Sequence, residues 1–186
     1  VVAHCSLMKR LPASLIINFV GFQLLWASAV FGGARDMSWP SWAVLGVMLA
    51  GQWWFDPRWV KNTPMLLWGL VLCLLLEPIW LSNGFLVYTG WDHPWLAPGW
   101  IWALWLGFAV SFHYSLRWLC GRPWLGAAFG AVGGIFSVTM GIRLGAASAP
   151  LDWLPIAVTY GVVWAVAVPL LAYGAQLTGE REHHHA

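Results

Sequence analysis

Apolar residues fill the chain in six blocks, and charged or turn-forming residues separate them. The blocks cover residues 13–33, 38–55, 64–81, 99–119, 123–145 and 151–175. Lys9-Arg10 and Arg35-Asp36 bracket the first, and Asp56-Pro57-Arg58 closes the second. A stretch rich in Gly, Pro, Asp and Asn, residues 82–98, separates the third from the fourth. A helix needs about 20 apolar residues to cross a bilayer core, and every block comes near that length. Pro64 and Pro123 sit where a first helical turn tolerates the missing N–H, and Pro169 is expected to bend the sixth helix. The pattern predicts an all-α integral membrane bundle of six transmembrane helices. Residues 13–175 form its single domain, residues 1–12 a cytoplasmic N-terminal segment and residues 176–186 a cytoplasmic tail.

Composition sharpens this. Of 186 residues, 60% are hydrophobic and 9% are charged, against about 25% charged in soluble domains. Too little polar surface exists to cover a water-soluble globule, and the hydrophobicity is far too high for disorder. The net charge of +2 is scattered, which argues against nucleic acid. Cys5, Cys73 and Cys120 have neither metal-ligand spacing nor the even count of a disulfide framework.

The few charges are sorted. With the N-terminus inside, the inner face holds Lys9, Arg10, Arg58, Lys61, Arg117, Arg122 and Arg181, while the outer face holds only Arg35 and Arg143. That bias fits cytoplasmic ends on both sides of the bundle. Lys9-Arg10, an apolar run and Ala27-Ser28-Ala29 also outline a cleavable signal peptide. Asn18, Gln23 and Trp26 interrupt that run, so the first block is read as a retained span. Met8 looks like a start residue, which would make the residues before it upstream sequence. Whether His183, His184 and His185 are native or tag-derived, no metal is expected there.

Seventeen tryptophans are present. Trp39, Trp42, Trp80, Trp91, Trp95, Trp100, Trp102 and Trp153 fall near the outer boundary. Trp53, Trp54, Trp59, Trp68, Trp118 and Trp124 fall near the inner one, as indoles at headgroup level do. Trp26, Trp105 and Trp164 lie deeper and are read chiefly as core filling, with a cavity lining as the alternative. The fifth block carries two stripes of small residues, Gly126/Gly130/Gly134 and Gly133/Ser137/Gly141/Gly145, which permit close helix approach. They predict a central fifth helix contacted on two sides.

Ionisable residues within spans are functional candidates by default. Glu77 precedes Pro78, which predicts a break in the third helix, and Arg143 reaches a similar depth, so a Glu77–Arg143 ion pair is expected. In the fourth block His113 and Arg117 share a face. With Asn18 and Gln23 of the first block they make a polar cluster toward the cytoplasmic side, which could equally be helix–helix hydrogen bonding. Glu77 and His113 lie near opposite faces, too far apart for one acid–base pair. No lysine lies in a span and His113 is the one intramembrane histidine, which excludes a retinal Schiff base, bis-His haem and a multi-His di-iron centre. Nucleophile-elbow, Walker and dinucleotide motifs are missing from the sequence, and no cofactor or metal is expected.

Three stretches carry a resemblance. They are Asn18-Phe19-Val20-Gly21-Phe22-Gln23 with Trp26, then Trp102-Ala103-Leu104-Trp105 running on to His113-Tyr114-Ser115-Leu116-Arg117-Trp118-Leu119, and Gly121-Arg122-Pro123 ahead of the glycine stripe. With the acid Glu77, they resemble the bacterial multi-pass family catalogued as domain of unknown function 2878. The resemblance covers nearly the whole chain. It implies an inner-membrane protein without assigned activity, associated with envelope-lipid modification and stress response.

The leading expectation is an accessory protein that binds or moves a lipid-like molecule. Asn18, Gln23, His113, Arg117 and Trp105 are its candidate ligand contacts, and membrane lipids its partners. The alternatives are a membrane enzyme using Glu77 or His113 as acid/base on a lipid or isoprenoid, a small-solute permease, and a structural partner of another membrane protein.

Overall fold

The computed structural model describes residues 12–180. Cys5, Met8, Lys9, Arg10, Arg181 and the terminal histidines lie outside the described residues, as do most of the N-terminal segment and the end of the tail. The described residues form six α-helices: α1 (Ala13–Gly33), α2 (Trp39–Phe55), α3 (Asn62–Leu81), α4 (Gly99–Ser111), α5 (Pro123–Arg143) and α6 (Trp153–Glu180). Prolines open four of them, Pro12 ahead of α1, Pro40 in the first turn of α2, Pro98 ahead of α4 and Pro123 at the start of α5. Each costs no intrahelical bond there. Helices α1, α3, α5 and α6 are long and apolar enough to cross a membrane. The outward faces of α3, α5 and α6 carry Leu75, Val132, Phe136 and Val162, all more than 60% exposed. An apolar surface of that extent suits lipid rather than water.

Helix α1 packs on α2 and α4, α4 also on α2 and α3, α3 on α6, and α6 on α5. Helix α4 is therefore the central element, and nine of its thirteen residues are buried. It is apolar on all sides, the pattern of a helix surrounded by protein. This corrects the expectation for α5, which packs mainly on α6 and buries only Gly126, Gly130, Gly134 and Val138. The first glycine stripe makes that contact, with the backbone of Trp164 directly over Gly130. The second does not pack in the same way: a β-carbon at Gly133 or Gly141 would meet nothing within 4 Å. Gly145 has φ +82°, a left-handed turn that ends the α5 segment.

Two further expectations change. Helix α3 continues through Pro78 to Leu81; the proline lies in the last turn, where the helix gives up one backbone donor and ends soon after. The fourth helix stops at Ser111 instead of Leu119. Phe112, His113 and Tyr114 bond back to Ala109, Val110 and Ser111 with three-residue spacing, and a short 3-10 turn, Arg117–Leu119, follows. Polar side chains of other helices take hold of this segment and outcompete the continuing helix.

The stretch after α3 holds a two-residue strand, β1 (Val87–Tyr88), paired antiparallel with β2 (Ala147–Ser148), with Tyr88 opposite Ala147. The pairing ties the α3–α4 loop to the α5–α6 loop and turns Tyr88 inward, where it is 2% exposed.

Candidate functional site

A cleft of about 340 Å³ lies among α1, α4, α5 and α6, with Glu77 of α3 bordering it. Helix α1 contributes Phe22, Gln23 and Trp26; α4 contributes Trp105 and Phe108; α6 contributes Tyr160 and Trp164. The α5 wall is Phe129, Phe136, Ser137 and the glycines Gly130, Gly133 and Gly134. Helices α1 and α5 do not pack closely, and Gln23, Phe129 and Phe136 on the two rims are exposed. One hydrogen bond crosses between the rims, from Trp26 Nε1 to Ser137 Oγ at 3.1 Å. The cleft thus opens sideways, toward the surface that faces lipid.

Its polar end is built around Glu77, 2% exposed. Trp105 Nε1 donates to Oε1 at 2.9 Å, and Trp80 Nε1 and Tyr88 Oη donate to Oε2 at 2.9 and 2.7 Å. Tyr88 Oη lies 3.4 Å from Tyr160 Oη. Trp105 stacks on Trp164 with ring centroids 4.7 Å apart and planes 14° from parallel. The indole N–H of Trp164 is buried without a hydrogen-bond partner. The three deep tryptophans both fill the core, with Trp105 buried in it and Trp26 and Trp164 packed against it, and line the cleft. Trp80, expected at the outer interface, is fully buried as a ligand of the acid.

Glu77 is not brought to Arg143. Its oxygens are occupied by the two indoles and the phenol, Arg143 is exposed, and the ion pair among the described residues is Lys61–Asp56.

The other expected cluster is partly assembled, at the opposite end of α3. His113 bonds Asn62 through Nδ1 and Thr178 through Nε2, both at 2.9 Å. Asn18 Oδ1 accepts from the Ser115 N–H and hydroxyl. Asn18 and His113 are thus anchored to one turn without bonding each other, Arg117 is exposed, and Gln23 belongs to the cleft. Asn62 lies fifteen residues before Glu77 on the same helix, about 22 Å at 1.5 Å per residue. One acid–base pair of Glu77 and His113 is therefore not formed.

Around this turn lies a network that sequence reasoning missed. Tyr114 Oη donates to Asp56 Oδ2 at 3.0 Å and accepts from Asn62 at 2.8 Å. Lys61 Nζ sits 2.7 Å from Asp56 Oδ2 and 5.0 Å from the Tyr114 ring centroid. Burial raises the Asp56 pKa, but Lys61, the Arg58 N–H and Tyr114 outweigh it and hold the carboxyl below its usual range. Among the described residues no group of three or more potential metal ligands occurs.

Of the missed residues, Trp80 had a signal, being three positions from Glu77 on one helix face. Tyr88 and Tyr160 had none, since only tertiary packing brings them to the acid.

Lipid-facing helices around an internal aromatic cleft define a helical membrane protein. Within that class the chain belongs to the family described as Protein of unknown function (DUF2878), whose model matches residues 15–170. No curated protein and no solved structure matches it.

Proposed function

We propose that this protein spans the bacterial inner membrane six times with both termini cytoplasmic, and that it binds or moves a lipid-like molecule as an accessory of envelope lipid metabolism. The observation that carries the reading is the cleft between α1 and α5, aromatic along its walls, open toward lipid and polar only around Glu77, the Trp26–Ser137 bond and Gln23 on the rim. Its volume of about 340 Å³ falls in the range of small-molecule sites. An apolar body entering from the bilayer would leave the Trp105, Trp164 and Phe108 faces dry and present its polar end to the acid. The ligand contacts move accordingly, from Asn18, His113 and Arg117 to Gln23, Trp105 and the residues around Glu77.

Mass spectrometry of molecules that co-purify in mild detergent tests this. The wild type is expected to carry a discrete lipid-like species. Gly133→Trp, which fills the cleft from a position with open space above it, should lose that species, and His113→Ala should keep it. Equal retention by wild type and Gly133→Trp would overturn the assignment.

A further inference from the structure

We infer that the cleft recognises a lipid-soluble cation, an apolar body carrying a protonated amine or quaternary ammonium that seats against Glu77. This rests on the cleft being a ligand site and names the chemistry of its polar end. Both oxygens of Glu77 accept hydrogen bonds, one from Trp105 and two on the other from Trp80 and Tyr88. Indole nitrogens only donate, so they require acceptors on both oxygens, an arrangement that suits the ionised carboxylate. Three donors leave room for about one more contact among the four lone-pair positions of a carboxylate.

A carboxylate at membrane depth is costly, and three hydrogen bonds without a facing positive charge offset that cost only in part. The described basic side chains do not supply one. Lys61 holds Asp56 near the far end of α3, Arg35 donates to the Phe31 carbonyl, and Arg58, Arg117, Arg122 and Arg143 are exposed. What does surround the open side of Glu77 is aromatic: the stacked Trp105–Trp164 pair, Tyr160 and Phe108, with Trp26 across the cleft. Aromatic faces around a single carboxylate attract an organic cation through its charge and its greasy substituents together. An anionic head would meet Glu77 with like charge, and a neutral chain would leave the acid uncompensated.

The source of such a cation can be a bilayer lipid with an amine headgroup or a free amphiphilic amine, and native mass spectrometry of the full chain in neutral detergent separates the two. Dodecyltrimethylammonium is expected to form a one-to-one adduct roughly 10-fold tighter than dodecanol, and Glu77→Gln to abolish the preference. Trp164→Ala should weaken the ammonium adduct by a larger factor than the dodecanol adduct, because it removes a cation-facing ring as well as apolar wall. Retention of added phosphatidylethanolamine over phosphatidylglycerol assigns the source to the bilayer; binding of the ammonium probe with equal retention of the two lipids assigns it to a free amphiphile. Equal binding of dodecyltrimethylammonium and dodecanol by the wild type would overturn cation recognition and leave the apolar cleft standing. Should neither probe bind, with no co-purified species either, the cleft reading falls as well. The wild-type comparison decides the matter even if Glu77→Gln does not fold.

Discussion

At the residue scale, the two carboxylates with the most built surroundings are satisfied in different ways. Glu77 is held by indole and phenol donors, whereas Asp56, which lies just beyond the end of α2, has a full charge partner in Lys61 and two further donors. An acid in a span was legible as a candidate, but its partner was not. Charge pairing pointed to Arg143, while neutral N–H and O–H groups supply the bonds, one from Trp80 on the same helix and two, from Trp105 and Tyr88, from positions only the fold brings near. Asp56 carries a pH dependence whose sign follows from its environment. Its pKa is lowered in the folded protein, so its contribution is complete above the unfolded value of about 3.9. That contribution is lost as pH falls through the folded value. Thermal unfolding in detergent should therefore show the wild-type Tm falling below about pH 4. Asp56→Asn should be less stable at pH 7 by about 2 kcal/mol, because Lys61 is left without its partner, and its Tm should change less over the same acid window. Equal acid sensitivity in the variant would remove Asp56 from the account.

At the element scale, the four long helices match the apolar blocks closely, since block edges were marked by Pro, Gly and charge. What the apolar pattern could not settle was which helix sits in the middle. Small residues on α5 marked one close contact, with α6, and not two; the buried helix is α4, whose all-round apolarity reads the same in lipid as in protein. The two glycine stripes separate these cases experimentally. Gly130→Leu would place its side chain against the Trp164 backbone and Val168, which cannot yield without parting α5 from α6. A loss of about 2 kcal/mol or more is expected, in the range of overpacked cores. Gly141→Leu points into open space and should be close to neutral, with a native elution profile. Comparing detergent Tm and monodispersity of the two proteins checks the assignment, and similar damage from both would contradict a one-sided α5.

At the scale of the whole molecule, the number of crossings turns on the two short helices, since α2 has 17 residues and α4 has 13. Both are aligned along α1 over most of its length. Gly21 lies against Met48 and Gly51 against Ile17, so α2 runs back antiparallel to α1. Gly33 lies against Trp100, Gly107 against Leu25, and Asn18 bonds Ser115, so α4 and its following turn retrace α1 from one end nearly to the other. If α1, 21 residues and about 31 Å long, crosses the bilayer core, its two neighbours cross the same slab. The turn after α4 then extends the path where the helix ends, with Asn62, Asp56 and Thr178 satisfying polar groups that lipid could not. Six crossings place residues 35, 83 and 143 on one side and 58 and 122 on the other, and the basic residues favour the second set as cytoplasmic. Single cysteines at these positions, in a chain without its natural cysteines, should divide accordingly. An impermeant maleimide applied to intact cells is expected to label positions 35, 83 and 143, and to reach 58 and 122 only after lysis. Labelling of 35 and 58 from the same side would mean that α2 does not cross, and labelling of 83 and 122 from the same side that α4 does not. Either result would also remove a wall or a support of the cleft from the membrane, so the topology and the lipid-facing site stand on the same measurement.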